Sequence, residues 1–191
     1  MERNVKLLCI RHGESEGNLH KVFCATPDVP LTPYGRQQAR LTGFYLRADF
    51  SPGRIVSSPY RRALETAEII GEVLQLPVEV EEDLRERDIG EYAGCPYEVV
   101  LDDPNYGKDA PWRWRPPGGE SLADVAERAV PAACRIAANS TAAEIVVVSH
   151  AGVIAALCAA ARGNNWDGVS GPLNAEVLVL EYADGRLHLR E

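Results

Sequence analysis

The sequence predicts an α/β protein: a three-layer sandwich whose central sheet is mostly parallel, with helices on both faces and an antiparallel C-terminal element. Three observations carry the prediction. Short β-branched runs alternate with longer stretches of helical periodicity, the order expected of a parallel sheet covered on both sides. Ile145 to Val148 is apolar without interruption, as a central strand buried on both faces must be. Ala175 to Tyr182, the turn Ala183-Asp184-Gly185 and Arg186 to Arg190 together read as a hairpin.

The first strand, Leu7-Leu8-Cys9-Ile10, ends abruptly in Arg11-His12-Gly13, after which the chain turns polar through Asn18 and runs irregularly to Asp28. Thr32-Pro33 is an N-cap followed by proline at the first helical position, and Ala39, Leu41, Thr42, Tyr45 and Leu46 then recur at helical spacing, so a helix is expected from about Pro33 to Ala48. Arg54 to Ser57 is a short strand. Ser58-Pro59 repeats the cap-plus-proline signal and opens a second helix with an apolar face of Ala63, Leu64, Ala67, Ile70, Val73 and Leu74. Arg62 falls in its first turn, near free backbone N–H groups and the positive end of the helix dipole.

Pro77 to Val80 predicts another short strand, and Asp83 to Tyr92 is too charged for a core element, which suits a loop crossing the mouth of a site. Asp102 to Gly119 is rich in proline, glycine and charge around Trp112-Arg113-Trp114-Arg115; two tryptophans give it something to bury, so a lid-like insertion at about 92–119 is expected. Gly118-Gly119-Glu120-Ser121 opens a long helix with Leu122, Val125, Ala126, Ala129, Val130, Ala133, Ile136 and Ala137 on its apolar face. Pro131 interrupts it, and a kink or a break into two pieces is expected there. After Ser149 come His150-Ala151-Gly152-Val153 and an alanine-rich helix to about Ala161.

With 191 residues and 46% hydrophobic content the chain can build one sizeable core, and a single domain over 1–191 is expected. No signal-peptide pattern or spanning apolar run is present, which predicts a cytoplasmic protein without a membrane partner. Five scattered cysteines with no C-x-x-C pair favour neither a disulfide framework nor a thiolate metal site. A formal net charge of −8 repels nucleic acid at long range, so an anionic ligand must be held by a local cluster of cations.

Such a cluster follows from the strand order. Ligands of parallel sheets bind at the carboxyl ends of the strands. Arg11 and His12 follow the first strand, Arg62 follows the second by one helical turn and His150 follows the central one, so all four are expected to line one crevice. Four convergent donors suit a dianion, and a phosphate monoester is the commonest candidate. A neutral imidazole can displace the ester oxygen in line, giving a phosphohistidine that water hydrolyses. The arginines and the second histidine would neutralise the equatorial oxygens. The leaving alkoxide needs a proton, and Glu86 in the mouth loop is the best placed donor.

At this point Arg11-His12-Gly13-Glu14-Ser15-Glu16-Gly17-Asn18 resembles the signature of the histidine phosphatase superfamily, in the branch that includes the phosphoglycerate mutases. The likeness extends through Pro30-Leu31-Thr32 with Gly35-Arg36-Gln37-Gln38-Ala39, Ser57-Ser58-Pro59 with Arg62-Ala63 and Thr66-Ala67, Leu84-Arg85-Glu86 with Gly90-Glu91, Gly118-Gly119-Glu120-Ser121, and Ser149-His150-Ala151-Gly152. The resemblance implies that His12 is the phosphorylated nucleophile, Arg11, Arg62 and His150 the phosphate pocket, Glu86 the proton donor and Asn18 a further phosphate or substrate contact, with no metal or organic cofactor. Thr26, Arg113, Arg115 and Glu120 are the candidates for substrate specificity, and the region from Lys108 to Arg115 would favour a second anionic group.

The leading expectation is a phosphatase acting on a phosphorylated small molecule. The mutases that the chain resembles are longer, which favours hydrolysis, but a phosphoglycerate mutase-type transferase stays open. So do a catalytically silent phospho-ligand-binding module and, ranked low because Arg11 and Arg62 would repel a cation, a zinc hydrolase using His12, His150 and Glu86. Monomer and homodimer are equally compatible with the sequence.

Overall fold

A computed structural model describes residues 4–24, 26–106 and 110–189. Lys108, in the stretch expected to favour a second anion, and Arg190, at the end of the expected hairpin, lie outside the described residues. Among the described residues the chain forms a six-stranded sheet of β1 (Val5–Arg11), β2 (Arg54–Ser57), β3 (Val78–Val80), β4 (Glu144–Ser149), β5 (Val177–Ala183) and β6 (Arg186–Leu189), in the order β3-β2-β4-β1-β5-β6. The first four are parallel to one another, and β5 and β6 add antiparallel at one edge, as the sequence predicts.

The helices are α1 (Glu16–Leu19), α2 (Pro33–Asp49), α3 (Arg61–Leu74), α4 (Leu122–Ala138) and α5 (Ala151–Ala161). Strand residues alternate between two cores because successive side chains leave opposite faces of a sheet. Leu7, Cys9, Ile145 and Val147 pack under α4 and α5 with Val125, Ala133 and Leu157. Leu8, Ile10, Val146 and Val148 pack on the other side with Leu46 of α2 and Ala63, Ala67 and Ile70 of α3. The uninterrupted apolar run of β4 is thus explained by burial on both faces.

Register sets where the chemistry sits. Arg11 of β1 pairs with Ser149 of β4, and Ser57 of β2 pairs with Val148. Three strands therefore end level with one another, and the residues that follow them leave the sheet side by side.

Two local expectations need correction. Ser58-Pro59 does not cap α3, which begins at Arg61 with Tyr60 at its N-cap and no side-chain cap bond. The Ser58 hydroxyl is taken instead by His150 Nε2 at 2.7 Å, and it accepts the Tyr60 N–H at 3.3 Å. Pro131 does not divide α4, which runs as one helix of 17 residues. Pro131 and Glu127 are both exposed, so the Glu127 carbonyl that proline leaves without an intrahelical partner can be solvated.

The 92–119 stretch is built from 3-10 turns and packs a small cluster of its own. Trp114 is buried with Ile89 and Val100, and its indole N–H and the Tyr92 hydroxyl both reach Asp103 Oδ2, at 3.2 and 3.0 Å. Trp112 stacks on Trp166 from the loop after α5, with rings 6.0 Å apart and 3° from parallel. Among the described residues no helix is long and apolar enough to cross a membrane.

Candidate active site

The loop after β1 is held tightly against the start of α2. A Cβ on Gly13 would stand 2.4 Å from the Gly35 carbonyl oxygen, so only glycine permits this approach. Thr32 caps α2 by accepting the Gly35 N–H, and Ser15 and Asn18 form a capping box on α1. Gly13 N–H donates to Thr66 Oγ1 at 3.0 Å, and Thr66 in turn donates to the Arg62 carbonyl at 2.7 Å. Sequence and packing together tie the turn carrying His12 to the helix carrying Arg62.

His12 is buried, and its Nδ1 lies 2.7 Å from the Gly13 carbonyl oxygen. A carbonyl can only accept, so Nδ1 carries the proton and Nε2 presents its lone pair. Arg62 Nε donates to that Nε2 at 3.3 Å. Burial above all, then the Arg62 and Arg11 charges, hold the imidazole well below its usual range, so His12 is neutral at pH 7. His150, fully buried, is lowered for the same first reason, with Arg62, His12 and Arg11 adding to it. Its ring stands edge-on to that of His12, centroids 5.2 Å apart.

Three buried nitrogens of this cluster, Arg11 Nε, Arg62 Nη1 and His150 Nδ1, have no hydrogen-bond partner among the described residues. Buried polar groups are nearly always paired, and three orphans gathered around one histidine mark a place for a ligand with several acceptor oxygens. Arg11 spends Nη1 on the Pro172 carbonyl at 3.0 Å, which fixes its side chain, and the Arg62 guanidinium lies 5.2 Å over the Tyr60 ring.

A crevice of about 670 Å³ opens in front of these groups. Arg11, His12, Asn18, Thr26, Arg62 and Glu86 all line it, whereas His150 sits behind the wall. Asn18 is also structural, since its Oδ1 accepts from Ser15 and from Asn174 Nδ2, and Asn174 also donates to the His12 carbonyl at 2.9 Å. Glu86 Oε1 accepts the Arg87 N–H at 2.9 Å. A Cβ on Gly152 would stand 2.7 Å from the same oxygen, so the glycine after His150-Ala151 is what lets the carboxylate rest on the first turn of α5.

Arg113, Arg115 and Glu120 stand apart from the crevice. Arg113 is exposed, Arg115 pairs with Asp124 at 2.6 Å, and Glu120 pairs with Arg128 at 2.8 Å. Besides Arg11 and Arg62, Arg87 lines the crevice; burial lowers its pKa, and its guanidinium forms no hydrogen bond or ion pair with a described side chain and lies 5.3 Å over the Trp114 ring. Arg87 and the positioning contributions of Ser58, Thr66, Asn174 and Gly152 are absent from the sequence reading, because their roles depend on contacts between residues far apart in the chain. Among the described residues no three His, Cys, Asp or Glu side chains gather as a metal-holding group, the trio of His12, His150 and Glu86 included.

Comparison with known proteins fits this geometry. The sequence model of the histidine phosphatase superfamily (branch 1) matches residues 7–191. The chain is 36% identical over 184 residues to a glucosyl-3-phosphoglycerate phosphatase of Mycolicibacterium vanbaalenii, covering 89% of this chain and 81% of that one. It is 32% identical to the uncharacterized phosphatase PhoE of Bacillus subtilis, covering 95% and 91%. A mycobacterial glucosyl-3-phosphoglycerate phosphatase solved in complex with VO3 superposes with a TM-score of 0.80 at 32% identity, over 95% of this chain and 97% of that one.

Proposed function

This chain belongs to the histidine phosphatase superfamily, branch 1, and from that premise we propose that it hydrolyses a small phosphate monoester through a phosphohistidine formed on His12 Nε2. The observation that carries the reading is the fixed tautomer of His12. With Nδ1–H held by the Gly13 carbonyl, the nucleophilic nitrogen is Nε2, and the same carbonyl stabilises the positive charge that the ring gains on attack.

In the first step the Nε2 lone pair bonds to phosphorus as the ester P–O bond breaks, and the Glu86 carboxylic acid gives its proton to the departing oxygen. Arg11 and Arg62, which line the crevice, bind the phosphoryl oxygens with nitrogens that have no partner among the described residues, and the equally unpartnered His150 Nδ1 adds its donor from behind the wall. In the second step Glu86, now a carboxylate, takes a proton from water, whose oxygen bonds to phosphorus as the P–N bond breaks. Inorganic phosphate leaves and His12 returns to its starting form.

The crevice is far larger than a phosphate group, and Phe23, Tyr97, Ile89 and Val100 give it an apolar and aromatic wall. A substrate with a sizeable organic group fits it. The Arg87 guanidinium, which lines the crevice and has no hydrogen bond or ion pair with a described side chain, suits the part expected of Arg113 and Arg115 and favours a second anionic group, such as a carboxylate. A relative named for a phosphoglycerate derivative is consistent with that preference.

The test is product analysis on a panel of phosphorylated sugars, glycerates and nucleotides. Stoichiometric inorganic phosphate, lost in His12→Ala, is expected. Isomerised phosphoglycerate without phosphate release would support the transferase instead, and turnover that survives His12→Ala would overturn the reading.

A further inference from the structure

The carboxylate read as the proton donor sits on a loop with no regular secondary structure of its own, and general-acid catalysis demands placement within hydrogen-bond reach of the leaving oxygen. Arg128 on α4 supplies that placement. Its Nη1 donates to the carbonyls of Asp83 and Arg85, both at 2.8 Å, and its Nη2 donates to the carbonyl of Glu86 at 3.2 Å. Nε and Nη2 close a two-point pair with Glu120, at 2.9 and 2.8 Å. Glu120 then accepts the Asp88 N–H at 3.0 Å.

All five guanidinium N–H donors are therefore used, and every one of them bears on the loop from Asp83 to Asp88 or on the carboxylate that holds its far side. Arg128 is 12% exposed, so these bonds are sheltered from water. Only a planar fork can satisfy three consecutive-turn carbonyls and a carboxylate at once; a lysine ammonium has three donors in another geometry.

From this we infer that Arg128, with Glu120 as its counter-ion, is the positioning residue that sets the Glu86 carboxyl against the leaving group, and that Glu120 serves this purpose rather than substrate recognition. The inference rests on Glu86 being the proton donor. It makes a demand that a merely structural arginine would not, namely that loss of Arg128 matters in proportion to how badly the leaving group needs a proton.

The experiment is a leaving-group series. In kcat/KM, which reports steps through transfer to His12, the p-nitrophenolate of p-nitrophenyl phosphate departs without a proton, whereas the phenolate and alkoxides of phenyl and alkyl phosphates require the acid. Arg128→Lys is expected to cost about 10-fold or more on phenyl and alkyl phosphates and less than about threefold on p-nitrophenyl phosphate, a part of the 10²- to 10⁴-fold span of general-acid catalysis. Glu120→Gln, which leaves the three carbonyl bonds in place, is expected to show the same trend more weakly and decides the matter if Arg128→Lys fails to fold. A uniform loss across the series, or none, would overturn the inference. Glu86→Gln in the same series separates the two claims: a steep dependence there with a flat one in Arg128→Lys and Glu120→Gln defeats the positioning role alone, and a flat one in Glu86→Gln defeats the donor.

Discussion

Arg62 Nε donates to His12 Nε2 at 3.3 Å, while Nη1 of the same guanidinium is buried without a hydrogen-bond partner among the described residues. In the resting site that hydrogen bond occupies the His12 lone pair, and in the proposed reaction the guanidinium gives it up and turns its donors to the phosphoryl group as the lone pair attacks. Lysine keeps the charge and loses the fork, so Arg62→Lys is expected to lower kcat/KM by about 10²- to 10³-fold, the loss typical of removing one preorganised donor, with a thermal melt close to wild type. Activity within about threefold of wild type would show that charge alone suffices.

The two buried histidines make stability depend on pH in a defined direction. Both are held well below the usual histidine range in the folded chain, so between that depressed range and about pH 6.5 the unfolded chain binds protons that the folded one does not. The stability they contribute is fully present above about pH 6.5 and is lost as pH falls below it, at a limiting slope of about 2–3 kcal/mol per pH unit for two sites. Denaturant melts between pH 7 and 5 measure this, and His12→Gln should roughly halve the slope. A flat profile over that window would mean that the buried imidazoles titrate normally.

Gly152→Ala places a methyl group 2.7 Å from Glu86 Oε1 and 3.2 Å from Leu122 Cδ2. Alanine is the better helix former by about 1 kcal/mol, so the fold should tolerate it while the carboxylate is pushed aside. The expected result is a loss of about 10-fold or more in kcat/KM on alkyl phosphates with a melting temperature near wild type. Unchanged turnover would show that Glu86 acts from another position.

Pro131 lies exposed within a continuous α4. Pro131→Ala gives the Glu127 carbonyl its intrahelical partner and removes a residue about 3 kcal/mol less favourable than alanine in a helix interior. A gain of about 1–3 kcal/mol, read as a rise of roughly 3–10 °C in melting temperature, is expected with activity unchanged. A fall would mean that the proline shapes a bend the packing of α4 needs.

Much of this was legible in the chain. The fold follows from alternation of element types and from Ile145 to Val148, whose unbroken apolarity only a doubly covered strand explains. The convergence of Arg11, His12 and Arg62 followed from one rule about strand ends, and the register of Arg11 with Ser149 shows why it works. Ser58 reads as a helix cap because local pattern cannot show that His150 claims its hydroxyl, and for the same reason the sequence does not show that Glu120 pairs with Arg128. That Arg87 rather than Arg113 or Arg115 lines the crevice is not legible in the chain, since which cation of a charged stretch faces it depends on packing around Trp114 and Asp124.

The most direct test of the account is to mix the protein with a phosphomonoester carrying labelled phosphate, quench in alkali during turnover and map the label. The account predicts label on His12, stable to base, released by acid and absent in His12→Gln. Burst-phase release of phosphate with no label on His12 at any quench time would contradict it, because water would then attack phosphorus directly and the lone pair fixed by Gly13 and Arg62 would have no covalent role.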